Sequence, residues 1–378
     1  MGAEYYGTYD MVESGNQSKK IIVFGLIMTL TLLFVFAHVI LGSRATVNIF
    51  YGRSQMLSGY EGPINENRLP AEIGHLEITV SPLNTDYIDS GIGTLAWPGI
   101  ENQLIEQFPY GYFGDMILDS PQDIVSIHIA NGEYEALDFI LKLFYNYEEA
   151  YFRVLGATEY KTELIFTIDA RSEVAIPVQL DSNLEVNEYR NKLTMIAVIA
   201  PEQFTAFHHN LYRFTTVGLN FEMSFGGERE LELLPFPYPI YAMEQSMFYS
   251  INISQNLEEP EFIVPLPEHL QVSPNEVVYL AFESKLLNMI LEDVENYLLI
   301  SMLDWNQIEM SGMPYIFVET NENPAYGERG VFTIIAPEEP GFYEFVAFAV
   351  LNPSSPNSWT NFFPLEFSWR TTIEVVAE

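Results

Sequence analysis

The chain has 378 residues, with 52 acidic and 16 basic side chains and a formal net charge of −36 at pH 7. Such a charge excludes nucleic-acid binding, which is driven by neutralising phosphates with Lys and Arg. The absence of cysteine excludes disulfides, thiolate catalysis and Cys-ligated metals, while 48% hydrophobic and 14% aromatic residues exclude a disordered polymer.

The first element is an almost unbroken apolar run, Ile21 to Leu41, which predicts a transmembrane helix over 21–42. At about 1.5 Å per residue, a run of this length crosses the ~30 Å hydrocarbon core of a bilayer. Residues 1–20 predict a disordered tail, and 43–71, rich in Gly, Ser and Asn, predict a stalk or linker. The alternative is a cleaved signal peptide, which has a shorter apolar core and a cleavage site that Arg44 fits poorly.

The flanking charges leave the orientation open, because two basic residues lie close to each end of the apolar run. The acidic region that follows gains nothing from an anionic cytoplasmic leaflet, which favours an extracytoplasmic position. The sequence therefore predicts a signal-anchored, single-pass protein of the cell membrane, held by Ile21–Leu41, with its large C-terminal domain outside. The lack of cysteine fits a bacterial surface protein.

From residue 72 onward, short alternating runs broken by 22 prolines and 23 glycines predict β-strands. Two segments instead predict short helices. In 133–147 an apolar stripe of helical spacing follows Asn131-Gly132, and Ser284–Asn296 carries a comparable stripe behind a Ser at the N-cap position.

An internal similarity suggests two modules. Ile199-Ala-Pro-Glu-Gln203 is similar to Ile335-Ala-Pro-Glu-Glu339, and each follows an apolar strand-like run. Chance is the alternative, since Pro-Glu after a strand is common turn chemistry. A true repeat places a β-rich module at 72–258, including the helix near 133–147, and a second module at 259–378.

The second module carries a family resemblance. Glu339-Pro-Gly341-Phe-Tyr343-Glu-Phe345 resembles the corner that leads into strand F of an immunoglobulin-like sandwich, with Phe345 at the position usually held by Cys. Trp305 resembles the strand-C Trp that packs beneath it. The resemblance covers about residues 261–378. It implies structural roles for Gly341, Tyr343, Phe345 and Trp305, and such sandwiches are mostly adhesive or architectural.

Together these patterns predict a mostly-β fold class. One N-terminal transmembrane helix is followed by two β-sandwich-type modules, the second immunoglobulin-like, with one or two short helices.

Motifs for chemistry are missing, since the sequence has no metalloprotease, nucleophile-elbow, phosphate-loop or EF-hand pattern. Loop carboxylates are candidate Ca²⁺ ligands, although a solvated loop is the favoured explanation of each pair. No other cofactor is predicted. The candidate Ca²⁺ ligands are Asp86, Asp89, Glu319 and Glu322.

The predicted function is a non-catalytic binding or structural protein of the cell envelope, acting in adhesion, wall interaction or a surface assembly. Its partner is a protein or a carbohydrate at the cell surface, for which Phe108–Phe113 and Pro235–Tyr241 are candidate aromatic platforms. The alternative is a membrane-tethered, carboxylate-dependent hydrolase of wall or extracellular polysaccharide. A sensor signalling to the N-terminal tail is a third possibility. An exposed apolar patch favours binding, and a cleft with two carboxylates and a raised pKa favours hydrolysis.

Overall fold

The computed structural model describes strands within the unit Arg53–Glu378. The described residues are 76, 78–82, 94–100, 123–181, 184, 190–207, 216–226, 233–244, 251–255, 266–267, 269–284, 295–320, 326–353 and 365–377.

The described elements are strands, with one short 3-10 turn at Thr205–Phe207. In chain order the strands are β1 (Thr79–Pro82), β2 (Thr94–Ile100), β3 (Val125–Asn131), β4 (Leu137–Tyr145), β5 (Glu148–Glu149), β6 (Phe152–Val154), β7 (Glu163–Ile168), β8 (Ser172–Leu180), β9 (Arg190–Ile199), β10 (Thr216–Gly226), β11 (Ile240–Glu244), β12 (Ile251–Ser254), β13 (His269–Val272), β14 (Val277–Ser284), β15 (Asn296–Leu303), β16 (Asn306–Ile308), β17 (Ile316–Glu319), β18 (Tyr326–Ile335), β19 (Gly341–Leu351), β20 (Leu365–Phe367) and β21 (Thr371–Val375).

The strands form four sheets, which we name by their position in the stack. Outer sheet 1 has the order β1-β8-β3-β2, with β6 also beside β8, and inner sheet 1 has the order β10-β9-β4-β5, with β7 also beside β4. Inner sheet 2 has the order β13-β21-β19-β15-β16, with β17 beside β15 and β20 beside β19. Outer sheet 2 has the order β11-β18-β14-β12. All pairings between these strands are antiparallel except that of β13 with β21.

Three apolar cores separate the four sheets. The first lies between outer and inner sheet 1, and the third between inner and outer sheet 2. The second, which we call the central core, joins the two inner sheets, so that two sandwiches pack back to back. Phe144 of β4 and Phe348 of β19 meet there edge to face, with ring centroids 5.5 Å apart.

The inner strands are therefore buried on both faces. Along β19, Phe345 and Ala347 point into the core of the second sandwich, whereas Val346 and Phe348 point into the central core. A strand covered on both sides loses the polar–apolar alternation of a half-exposed strand and becomes a continuous apolar run. This explains the sequences LDFILKLFY of β4 and GFYEFVAFAVL of β19.

The prediction of a helix near 133–147 is wrong. Residues 137–145 form β4, and its apolar residues face alternately the first core and the central core. Asn146 and Tyr147 then turn the chain with φ of 50° and 71°, as in a two-residue hairpin, and β5 follows. The helical spacing arose because apolar residues on both faces of a strand also satisfy a helical pattern. Of the second predicted helix, Ser284 ends β14 and Asn296 begins β15, and 285–294 lie outside the described residues.

The predicted fold class and localisation also need correction with respect to the membrane. Among the described residues, no helix has the length and apolarity needed to cross a bilayer. The apolar run Ile21–Leu41 lies outside the described residues, as do the tail at 1–20 and the stalk at 43–71. The fold class is accordingly mostly β without a described helix, and a single-pass, membrane-anchored location has no support in this structure.

The two sandwiches share one topology. In the first, β4 lies between β9 and the pair β5 and β7, and β3 pairs with β8. In the second, β15 lies between β19 and the pair β16 and β17, and β14 pairs with β18. The outermost strands also correspond, since β1 and β11 flank β8 and β18. Because β11 and β12 pair with β18 and β14, this topology favours a module boundary upstream of Ile240 rather than at 258/259.

The two sandwiches also match at single equivalent positions. Ala200 and Asn352 both follow an inner strand with left-handed φ, 48° and 45°, and each precedes a proline. Their backbone N–H groups donate to the carbonyls of Asp138 and Asn296, at 2.9 and 2.8 Å. The similar segments Ile199–Gln203 and Ile335–Glu339, by contrast, follow β9 and β18, which are not equivalent strands.

Gly330 gives a test of the packing in the second sandwich. A Cβ added there would lie 2.6 Å from Cζ of Phe282, a buried core ring. We expect Gly330→Ala to lower the free energy of unfolding by about 1–3 kcal/mol through overpacking. The matched control is Gly341→Ala, whose Cβ would lie 3.6 Å from the Tyr343 ring, an ordinary contact. Urea unfolding of both variants measures the difference, and equal stabilities would contradict the packing of β18 against β14.

Candidate functional site

The residues of the predicted immunoglobulin-like corner lie together at the start of β19. Gly341 opens the strand, and the Tyr343 hydroxyl donates to the backbone carbonyl of Glu339 at 2.8 Å. Phe345 is fully buried in the core of the second sandwich. Burial raises the pKa of the Tyr343 hydroxyl, which is also raised by the nearby Glu339 and Asp304 carboxylates.

Trp305 lies elsewhere than the resemblance implies. It is fully buried in the central core, not beneath Phe345, which belongs to the third core. Asp304 and Trp305 form the hairpin turn between β15 and β16, with φ of 51° and 67°. A tight turn of this kind aims the indole away from its own sandwich and toward the first one.

Each sandwich places one aromatic side chain against the backbone of the other across the central core. The indole N–H of Trp305 donates to the Pro201 carbonyl at 3.3 Å, and the Tyr147 hydroxyl donates to the Pro353 carbonyl at 2.7 Å. Tyr147 occupies the β4–β5 turn as Trp305 occupies the β15–β16 turn, and Pro201 corresponds to Pro353. Each contact is thus the symmetric counterpart of the other, as in an isologous dimer interface.

A buried polar cluster, which we call the clamp, fastens one side of this interface. Glu344 of β19 is fully buried and accepts hydrogen bonds from the backbone N–H and the hydroxyl of Thr205, at 2.9 and 2.6 Å. It also accepts from the Thr372 hydroxyl and from Nε of Arg370, the latter at 2.9 Å. Thr205 belongs to the first sandwich, so that the carboxylate joins the two.

Arg370 completes the clamp. Its Nη2 donates to the Gln203 carbonyl at 2.6 Å, and its guanidinium lies over the Trp305 ring, 4.6 Å from the centroid. A buried charge is tolerated when its partner and its hydrogen bonds are complete, and both charges here meet that condition. The clamp is closed to ligands, because Glu344 and Arg370 are 0% and 1% exposed. It is a structural site.

The candidate Ca²⁺ ligands are not brought together within the described residues. Glu319 ends β17 with an exposed side chain, and Asp86, Asp89 and Glu322 lie outside the described residues. No group of three or more His, Asp or Glu side chains suited to a metal ion occurs in the described part of the chain.

Among the described residues, two carboxyl groups have a raised pKa. Burial raises the pKa of Glu283, an effect opposed by its ion pair with Arg329, and the side chain is too deeply buried to reach a substrate. Burial likewise raises the pKa of Glu202, with a further rise from the Asp138 carboxylate and opposition from Arg370. Glu202 is therefore the described carboxyl that best suits acid–base chemistry.

The outward surface of outer sheet 2 carries the strongest candidate binding site. Val277 lies opposite Ile335, and Tyr279 lies opposite Thr333. The exposed fractions are large for apolar side chains, 47% for Val277, 55% for Tyr279 and 66% for Ile335. Tyr241 of β11, 55% exposed, lies on the same side of the sheet, opposite Arg329 and four residues along β18 from Thr333. Of the outward positions between them, Ala281 and Glu283 are buried. We call Tyr241, Val277, Tyr279, Thr333 and Ile335 the tyrosine face.

The equivalent surface of outer sheet 1 is different. There the outward positions of β3 include Ser126 and His128, whose side chains lie 3.3 Å apart and are partly buried. The outward positions of β8 are Glu173, Ala175, Pro177 and Gln179, all partly buried. Since the two sheets share one topology, the fold itself does not require exposed apolar residues at these positions. The tyrosine face is a property of this sequence.

Sequence reasoning identified part of this site. Tyr241 lies within the aromatic platform predicted at 235–241, where Phe236 instead packs against the core of the second sandwich. Tyr279 and Ile335 were missed. Their strands alternate regularly, but both sets of alternate residues are apolar, so that the pattern alone does not tell which set faces solvent.

Comparisons with known proteins give no family. No family model and no curated protein matches the chain. The solved structures that match include the C-terminal domain of the AgI/II polypeptide BspA of Streptococcus agalactiae, at 6% identity over 70% of this chain and 96% of that one, with a TM-score of 0.19. The C-terminal domain of the Streptococcus pyogenes antigen I/II-family protein AspA matches at 8% identity, covering 80% and 100%, with a TM-score of 0.15.

A third match is the CsuC–CsuE chaperone–tip adhesion subunit complex from Csu pili of Acinetobacter baumannii, at 7% identity over 76% of this chain and 100% of that one, with a TM-score of 0.21. Two of these three structures are domains of bacterial antigen I/II-type proteins and the third contains a pilus adhesion subunit. At such TM-scores the likeness carries no argument about this chain.

Glu202 yields a pH-dependent prediction. Because its pKa is raised in the folded state, the folded chain holds the proton more tightly than the unfolded chain. Ionisation of Glu202 therefore lowers the free energy of unfolding. The whole loss is present at pH values above the raised pKa, and none of it is present at pH values below the ordinary pKa of a Glu side chain. We expect Glu202→Gln to be more stable than the wild type near about pH 7, with the advantage vanishing near about pH 4.

Urea unfolding at both pH values measures this effect, with the exposed Glu159→Gln as a control that should match the wild type throughout. A Glu202→Gln chain less stable than the wild type at neutral pH would contradict the assignment.

Proposed function

We propose that the chain is a non-catalytic binding module that holds a protein or carbohydrate partner on the tyrosine face. The observation that carries this proposal is the exposure of Val277, Tyr279 and Ile335, since the equivalent outward positions of β3 and β8 in the first sandwich carry no exposed large apolar side chain. Exposed apolar patches on a folded domain mark interaction sites, since their burial against a partner is favourable.

The rest of the fold supports a binding role. The central core and the clamp fix the two sandwiches to each other, so that the tyrosine face belongs to a rigid body. A rigid site loses little conformational freedom when it binds, which favours affinity.

A carboxylate-dependent hydrolase is the second candidate, and Glu202 is the observation that favours it. A raised pKa beside a second carboxylate, Asp138, is typical of a general acid. However, the Asp138 carboxylate already accepts the Thr167 hydroxyl at 2.5 Å, and Glu202 adjoins the closed clamp. Local structure thus accounts for both groups, and we place binding first.

The tyrosine face can be tested by site-specific photo-crosslinking in cells that make the protein. Replacing Tyr279 with the photoreactive residue p-benzoylphenylalanine should give a discrete cross-linked product, because a bound partner would cover this position. The same replacement at Tyr151, equally 55% exposed but on the first sandwich, is the matched control and should give none. Adding Ile335→Ser should remove the product formed at position 279.

Identical products from both positions, or none at position 279, would contradict a binding role for the tyrosine face. The hydrolase alternative has its own readout, the release of reducing ends from wall polymers by the purified chain. Turnover that disappears in Glu202→Gln would establish that alternative.

A further inference from the structure

We propose that the occupant of the tyrosine face is a cationic polypeptide segment, whose apolar side chains cover the face while its Lys or Arg side chains reach the acidic residues around it. This inference rests on the proposed binding function and names the chemical class of its partner. The argument comes from the charges that border the face.

The border of the tyrosine face is acidic. Glu276 precedes Val277 directly, and its carbonyl accepts the backbone N–H of Ala336 at 2.9 Å. Glu338 and Glu339 lie two and three residues after Ala336. Glu309 lies two residues before Ser311, whose backbone N–H donates to the carbonyl of Thr333 at 2.8 Å. All four glutamates have exposed side chains.

No exposed Lys or Arg balances these acids among the described residues from Leu233 onward. The arginines in that part are Arg329 and Arg370, which are 3% and 1% exposed. Arg329 pairs with Glu283 and Arg370 with Glu344, so that both charges are already matched inside the protein. The one histidine there, His269, pairs with Glu374 at 2.8 Å. The potential over this surface is therefore negative.

The negative potential excludes several occupants. A second copy of the chain, at a net charge of −36, would bring like charges together around the same face. Other acidic proteins are repelled in the same way. A neutral sugar has the rings of Tyr279 and Tyr241 to stack on, but it gains nothing from the acidic border, and its hydroxyl groups find no partners at the aliphatic Val277 and Ile335.

A cationic segment uses every feature of the site. Its apolar side chains bury Val277 and Ile335, while a Lys or Arg over the ring of Tyr279 or Tyr241 makes a cation–π contact. Its remaining cations pair with the bordering glutamates. Such pairs lie at the rim of an interface, where they govern association rate and salt dependence more than the final affinity.

Binding of synthetic peptides to the full chain tests this inference. The probes are three peptides of about 12 residues that alternate Val with Lys, Ser or Glu, together with a neutral glucan oligosaccharide. By titration calorimetry the Lys–Val peptide should bind at about 20 mM salt and weaken at least about tenfold at about 500 mM. The Glu–Val peptide and the glucan should not bind.

Variants locate the binding. The combined substitution of Glu276→Gln, Glu338→Gln and Glu339→Gln should weaken the Lys–Val peptide about tenfold. The control removes the same charge from exposed acids of the first sandwich and should change affinity less than about threefold. The control substitutions are Glu148→Gln, Glu159→Gln and Asp169→Asn.

Each other outcome overturns a stated part of the proposal. Equal losses from the two triple variants would show that the peptide senses only the overall charge. A Ser–Val peptide that binds as tightly as Lys–Val, with sensitivity to Tyr279→Ser, would overturn the cationic partner and keep the proposed function. Glucan binding sensitive to Tyr279→Ser would make the occupant a carbohydrate. If Tyr279→Ser changed the affinity of none of the probes, the tyrosine face would have no binding role.

Discussion

The buried carboxylate of Glu344 is the interaction on which the arrangement of this protein depends. It lies on an inner strand of the second sandwich, yet half of its hydrogen bonds come from Thr205 of the first. Arg370 neutralises it and continues the connection to the Gln203 carbonyl and the Trp305 ring. A buried charge with one missing partner is costly, so this cluster is stable only when both sandwiches are in place.

Around this cluster the two sandwiches associate as the halves of a symmetric dimer do. The same topology occurs twice, and the hairpin aromatics Tyr147 and Trp305 each donate a hydrogen bond to the proline carbonyl of the opposite half. The halves differ in their outer sheets, where the second one presents the tyrosine face. The repeated topology thus supplies the scaffold, and the difference between the two outer surfaces supplies the function that we propose.

Part of this structure could be predicted from the sequence. The β character and the burial of Phe345 follow from alternation, turn residues and the pattern around Gly341. The similarity that suggested two modules, by contrast, joins segments after strands that are not equivalent. The double burial of β4 could not, because apolar residues on both faces of a strand also match a helical stripe. Trp305 was placed in the wrong core, since the left-handed turn that redirects its indole depends on the pairing of β15 with β16. The membrane-spanning fold class rested on an apolar run outside the described residues.

The tyrosine face was only partly predictable for a related reason. The sheet that packs beneath β14 and β18 decides which set of alternate side chains faces solvent. The sequence of the two strands does not show which set this is. Tyr241 stood out because prolines surround it, whereas Tyr279 and Ile335 stand in ordinary strand sequence. The acidic border is formed by turns that are distant in the sequence and adjacent in the structure, as Glu276 is beside Ala336.

Calorimetric unfolding of the full chain tests most directly whether the two sandwiches form one body. Because the central core and the clamp need both halves, we expect the sandwiches to melt in one transition, with equal calorimetric and van't Hoff enthalpies. Glu344→Gln, which leaves Arg370 buried without its charge partner, should lower the stability of that single transition by about 3–5 kcal/mol. Two separate transitions in the wild type, with only one of them sensitive to Glu344→Gln, would contradict the account.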